Sequence, residues 1–177
     1  MLLTGTPGVG KTTVLMKVVK KLRERGVSVG GMVSREVRER GRRVGFEMID
    51  ISTGDREVLA SIYGDGARMG KYKVNLKGLA EFASRVILSA MENSDVIVCD
   101  EVGPMELLSP EFKRAVSKLL AVDKPMIIVI HMKMKDPLLK SLRQNPRAVL
   151  FTVTYENRDQ LVDEVYSTIN KFLEGRG

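Results

Sequence analysis

At 177 residues, the chain suits one compact domain over 1–177, and 44% hydrophobic with 29% charged residues marks a soluble globular class. No apolar run approaches the roughly 20 residues of a membrane span. A glycine loop stands where a signal peptide would be, and one cysteine excludes an internal disulfide framework, so a cytoplasmic protein is expected. The net charge of +7 favours anionic partners, nucleotides or a nucleic-acid backbone, although 5% aromatic residues and no Trp give no base-stacking run.

Met1 to Thr4 predict a very short strand, and "GTPGVGKTT" (5–13) follows it at once. Gly5, Gly10, Lys11 and Thr12 satisfy G-x-x-x-x-G-K-[ST]. The glycines let the backbone curl so that successive N–H groups converge on phosphate oxygens, at the positive start of a helix. Lys11 is placed to reach the β and γ phosphates, and the Thr12 hydroxyl to ligate Mg²⁺. Val14, Leu15, Val18, Val19 and Leu22 then recur at helical spacing until Gly26 stops the helix.

Segments 27–34 and 43–51 read as the strands of a β-hairpin turned near Gly41, and a turn at 53–55 leads to a short strand through Val58 to Ile62. Segment 63–75, with three glycines and no periodicity, is expected as a loop. Leu79, Phe82, Ala83, Val86, Ile87 and Met91 mark an amphipathic helix.

"DVIVCD" (95–100) is a buried strand closed by Asp100, the acidic residue a phosphate loop needs to position Mg²⁺. Glu101 follows directly. At a fraying strand end both carboxylates reach the mouth of the site, Asp100 for the metal and Glu101 to polarise an attacking water. Cys99 is expected to pack as a small apolar residue. "DEVG" also fits the D-x-x-G of GTP switches, but no guanine-selecting N-K-x-D occurs in the chain.

Ser109 and Pro110 open a helix, 124–131 is another buried strand ending in His131, and Asp136 with Pro137 opens a short helix. Segment 148–153 predicts a last strand, and Asn157 with Gln160 a capping box for the final helix, whose apolar side carries Leu161, Val162, Val165, Ile169, Phe172 and Leu173. Strands rich in β-branched residues alternating with helices predict an α/β fold with a mainly parallel sheet covered on both faces.

"GTPGVGKTT", "VIVCDEVGPMEL" and "TVTYENRDQL", in this order, resemble the THEP1-type nucleoside-triphosphatases, a P-loop NTPase family. The resemblance runs along essentially the whole chain and includes the inserted hairpin. It implies a RecA-like core and slow, Mg²⁺-dependent hydrolysis of ATP, GTP, CTP, UTP and other triphosphates with weak base selectivity. It also implies a triphosphate loop of Gly5, Thr6, Pro7, Gly8, Val9, Gly10, Lys11 and Thr12, which Thr13 extends. Val96, Ile97, Val98, Cys99, Asp100, Glu101, Val102 and Gly103 would form a second nucleotide-contacting stretch. The lead-in strand is shorter than the family usually shows.

Three further groups stay open. His131 is either a γ-phosphate sensor or a strand-end residue. Arg158 either contacts the nucleotide or serves the helix start. Arg35, Arg38, Arg40, Arg42, Arg43, Arg56 and Arg68 contend for a charge-stabilising role. Two other functions compete with hydrolysis. One is a nucleotide or polynucleotide kinase, with the arginine-rich hairpin holding the acceptor. The other is an ATP-dependent nucleic-acid-binding module, for which binding would fall steeply with salt.

Overall fold

The computed structural model describes residues 1–175; residues 176 and 177, the end of the expected domain, lie outside them. The chain runs β1 (Leu2–Thr4), α1 (Lys11–Glu24), β2 (Val29–Glu39), β3 (Arg42–Asp50), β4 (Arg56–Ser61), β5 (Ala67–Met69) and β6 (Tyr72–Val74). A helical rod follows, made of α2 (Leu76–Gly78), a π-helical turn (Leu79–Ala83) and α3 (Ser84–Asn93). Then come β7 (Val96–Val102), a 3₁₀ turn (Glu106–Leu108), α4 (Pro110–Leu119), β8 (Met126–Ile130), α5 (Pro137–Gln144), β9 (Leu150–Thr152) and α6 (Arg158–Glu174).

The nine strands of the described residues join one sheet in the order β5-β6-β4-β3-β2-β7-β8-β1-β9. From β2 to β9 every pairing is parallel, as the buried strand runs predict. From β2 to β5 every pairing is antiparallel. The expected hairpin is therefore the root of a longer wing. Its arms run on through Arg35–Glu39 to a tight turn at Arg40 and Gly41.

Segment 63–75, expected as a loop, instead carries the edge hairpin β5–β6, with Met69 paired to Tyr72. Its two strands have three residues each, too few for a period-2 pattern to emerge between the glycines.

Side chains alternate across the strands and build a core on each face. Leu2, Met32, Ile97, Cys99, Ile128 and Ile130 pack with α3, α4 and α5, while Leu3, Val33, Val96, Val98, Ile127 and Val129 pack with α1 and α6. A fully buried Leu or Ile of this kind is worth about 1.5–3 kcal/mol of transfer free energy.

Ser109 caps α4 by accepting from the Phe112 N–H at 3.2 Å, and Asp136 caps α5 by accepting from Leu138 N–H at 2.8 Å, both as predicted. The capping box of the last helix lies three residues earlier than expected. Thr154 Oγ1 accepts from Asn157 N–H at 3.2 Å, and Asn157 Oδ1 accepts from Thr154 N–H at 2.8 Å. The reciprocal pair is thus Thr154 with Asn157, not Asn157 with Gln160, because the turn at 155–157 already coils before α6 begins. No helix among the described residues is long and apolar enough to cross a membrane.

Candidate active site

Strand order sets the site. β1 delivers the glycine loop and β7 delivers Asp100 and Glu101, with β8 between them carrying His131 at its end. Parallel pairing brings the carboxyl ends of all three strands to one edge of the sheet, where ligands of open α/β sheets bind. A cavity of about 750 Å³ opens there. Gly5, Thr6, Pro7, Gly8, Gly10, Lys11, Thr12 and Thr13 line it, together with Asp100, Glu101 and His131.

The loop is anchored hard to its surroundings. Val153 N–H donates to the Thr4 carbonyl at 2.7 Å, and a Cβ on Gly5 would lie 2.6 Å from the Val153 carbonyl oxygen. Only glycine fits at Gly5, where φ is 153°. Lys11 Nζ donates to the carbonyls of Gly5 and Thr6 at 3.1 and 3.3 Å, so its ammonium lies across the loop it closes. Val9 turns inward and packs in the core beneath α1.

Of the second predicted stretch, the strand brings Asp100 and Glu101 to the cavity and leaves the rest behind. Val96, Ile97, Val98, Cys99 and Val102 are fully buried side chains of the two cores. They hold the strand that aims the carboxylates. Burial pushes the Cys99 thiol well above its ordinary range, which makes it inert.

Asp100 is 3% exposed; its Oδ2 accepts from the Thr12 hydroxyl at 2.6 Å, and its carbonyl accepts from the Ser34 hydroxyl at 2.6 Å. Burial pushes its carboxyl up to about 7; the Thr12 hydrogen bond opposes that rise and Glu101 adds to it. The peptide joining Asp100 to Glu101 is cis.

Glu106 is a third carboxylate that sequence reasoning missed. It lies in the 3₁₀ turn after β7, 5% exposed, and also lines the cavity. Burial, reinforced by Glu101 and Asp100, pushes it up to about 8, against hydrogen bonds from its own and the Gly103 N–H. Its signal in the sequence is faint, a single acid between Met105 and Leu107.

Gly103 separates two of the acids. A Cβ there would stand 3.3 Å from Glu101 Oε1 and 3.3 Å from Glu106 Oε2.

His131 Nδ1 accepts from the N–H groups of Met134 at 3.0 Å and Lys133 at 3.3 Å, which leaves Nε2 to carry the ring proton. Lys133 itself joins the cavity wall.

Among the arginine contenders, Arg35 and Arg43 line the cavity. Arg43 is held by Glu36 at 2.6 Å and the Tyr72 hydroxyl at 2.9 Å, and Arg35 pairs with Glu47. Arg38 pairs with Glu36, Arg56 with Glu47, and Arg68 donates to the Gly70 carbonyl, while Arg40 and Arg42 sit exposed at the hairpin tip. Arg158 lies on the opposite flank of the loop, against Gly10.

With this geometry in place, a family model described as NTPase matches residues 1–166. The chain belongs to this NTPase family.

Among its relatives, the nucleoside-triphosphatase THEP1 of Methanopyrus kandleri is 44% identical over 177 residues, covering 99% of this chain and 98% of that protein. The THEP1 of Thermofilum pendens is 45% identical over 174 residues, covering 95% of this chain and 96% of its own. The crystal structure of THEP1 from the hyperthermophile Aquifex aeolicus superposes with a TM-score of 0.82 at 31% identity, covering 96% of this NTPase and 98% of that chain. A solution structure of a human cancer-related nucleoside triphosphatase also gives 0.82, at 32% identity and 97% coverage of each chain. The mixed sheet of this NTPase, with helices on both faces, is thus the architecture those structures share.

Proposed function

We propose that this chain is a cytoplasmic, Mg²⁺-dependent nucleoside-triphosphatase that accepts ATP, GTP, CTP and UTP and passes the γ phosphate to water, slowly. The observation that carries the reading is the cavity in which Lys11 and Thr12 face Asp100 and Glu101. In this reading, the N–H groups of residues 5–13 and the Lys11 ammonium hold the β and γ phosphates.

The donor set suits Mg²⁺. The Thr12 hydroxyl and Asp100 carboxylate are hard oxygens 2.6 Å apart. Among the described residues no cluster of three His, Cys, Asp or Glu could hold a metal unaided. Thr12 and Asp100 would hold the ion beside the bound triphosphate. Mg²⁺ would supply charge neutralisation there.

Glu101 takes a proton from water as the water oxygen attacks the γ phosphorus. The β–γ bridging bond breaks, and the diphosphate leaves with its new charge held by Lys11 and the loop amides. His131 Nε2–H is a donor for the γ phosphate, and Arg158 contacts the nucleotide from the other flank. Arg35 or Arg43 supplies positive charge from the wing.

A second reading keeps this machinery and replaces water by a hydroxyl acceptor, making a kinase. The observation in its favour is the far wall of the cavity, where Arg43 lies over the Phe46 ring at 5.1 Å beside Met69. Free phosphate followed in the presence of Mg²⁺ and each triphosphate decides between them. Release from all four nucleotides, lost in Lys11→Ala and unchanged by added nucleosides, monophosphates or RNA, supports hydrolysis. Label moving to an acceptor supports the kinase.

A further inference from the structure

Beyond the phosphates lies the question of where the nucleobase goes, and the flank of the loop away from the carboxylates answers it. β1 sits between β8 and β9, so Asp100 and Glu101 fall on one side of the loop and residues 153–158 on the other. With the proposed γ-phosphate position at Glu101, the far end of the nucleotide would face residues 153–158.

The chain there is tightly held. Thr154 and Asn157 exchange hydrogen bonds, and Asn157 Nδ2 also donates to the Thr152 carbonyl at 2.9 Å. At the tip of this locked turn stands Tyr155, a large aromatic residue left 62% exposed. The Arg158 guanidinium lies 5.4 Å from the Tyr155 ring centroid. The same side chain reaches the loop, since a Cβ on Gly10 would sit 3.5 Å from Arg158 Cδ and 3.6 Å from Nη1. Arg158 thus bridges the phosphate loop and an exposed aromatic face.

We infer that Tyr155 and Arg158 form a stacking platform for the nucleobase of a bound nucleoside triphosphate, purine or pyrimidine alike. This rests on reading residues 5–13 as the triphosphate site. Base faces attract rings and guanidinium planes whatever the base, whereas selectivity needs donors and acceptors aimed at base edges.

The neighbouring polar side chains are otherwise engaged. Asn157 is spent on Thr152 and Thr154, Asp159 accepts from Lys17 at 2.8 Å, and Glu156 hydrogen-bonds Thr154, which holds its carboxyl below the ordinary range. The Tyr155 ring, with the Arg158 guanidinium beside it, is left to meet the face of a base.

The test is equilibrium displacement of a ribose-labelled fluorescent ATP by ATP, GTP, CTP, UTP and inorganic tripolyphosphate, with Mg²⁺ present. Tyr155→Ala is expected to weaken all four nucleotides by about tenfold, in line with the worth of one base–aromatic stack. It leaves tripolyphosphate, which has no base, at the wild-type affinity, and Tyr155→Phe binds everything as the wild type does. Unchanged nucleotide affinities in Tyr155→Ala overturn the platform. So does an equal loss for tripolyphosphate, because Tyr155 would then merely support the loop. A loss confined to one base overturns it too, by revealing edge recognition. Because binding is read without turnover, absent phosphate release from wild-type protein would count against the hydrolytic reading and leave this result standing.

Discussion

The Thr12 hydroxyl donates to the Asp100 carboxylate at 2.6 Å, across a span of 88 residues in sequence and with β8 between the strands that lead to them. In the proposed reaction these two oxygens, one at the first turn of a helix and one at a strand end, would serve as a preset pair of donors for one hard cation. Removing either, as Thr12→Ala or Asp100→Ala, should raise the Mg²⁺ concentration for half-maximal phosphate release by about 10–100-fold. Residues acting as a unit are non-additive, so the double variant should cost little more than the worse single one. A Mg²⁺ titration of the three variants reads this directly, and independent, additive losses would dissolve the pair.

Lys11 and Glu101 serve different stages of the proposed reaction, and their variants should separate. Lys11→Ala removes charge already engaged in the ground state, so triphosphate binding weakens. Glu101→Gln keeps the shape of the side chain and loses only its basicity, so binding is spared while kcat falls at least about 100-fold. Single-turnover phosphate release beside nucleotide binding measures both. Near-normal turnover in Glu101→Gln would move the base to another residue.

How much of this was legible in the sequence follows from what each signal depends on. The loop and the Asp100–Glu101 pair were legible because their chemistry is local: a motif followed by a helix, and two acids closing an apolar strand. β5 and β6 were not, since three-residue strands are defined by their partners across the sheet rather than by their own pattern. Glu106 was hidden because its burial comes from the fold over it, and one acid in "PMELL" looks like any turn residue. Asn157 is the N-cap of α6 as expected, but the box with Gln160 does not form, because the Asn157 side chain turns back to the Thr154 N–H, a partner that only the folded turn supplies. Tyr155 escaped notice for a related reason, since exposure of an aromatic ring is invisible until the turn beneath it is known.

The raised carboxyl of Glu106 sets a pH dependence of stability. An unfolded glutamate ionises near its ordinary value of 4.5, and this one at about 8 in the fold. Between those values the native state holds a proton that the unfolded state has lost, so stability falls as pH rises through that window. Asp100, pushed up to about 7, acts in the same direction. Glu106→Gln is neutral at every pH and removes its share of the slope. Melting temperatures taken in EDTA should match wild type near pH 5 and exceed it by several degrees near pH 9. Parallel curves for the two proteins would show that Glu106 is not the group responsible.

Gly103→Ala tests whether the spacing of the acids matters to the chemistry. Gly103 is not among the glycines with positive φ, so an alanine meets no backbone objection there. Its objection is contact, because the new methyl would stand 3.3 Å from an oxygen of both Glu101 and Glu106. One of them has to give by a few tenths of an ångström. Glu106 is 5% exposed and tied to the Gly103 N–H, whereas Glu101 is only half-buried at the mouth of the cavity. Glu101 is therefore the one that moves, away from the position at which the proposed reaction has it polarise water. Misplacement on this scale costs up to about 100-fold in rate while leaving binding alone. The expected variant keeps its melting temperature and its KM for ATP, and loses about 10–100-fold in kcat. Wild-type kcat in Gly103→Ala would mean that the position of Glu101 is not what limits turnover.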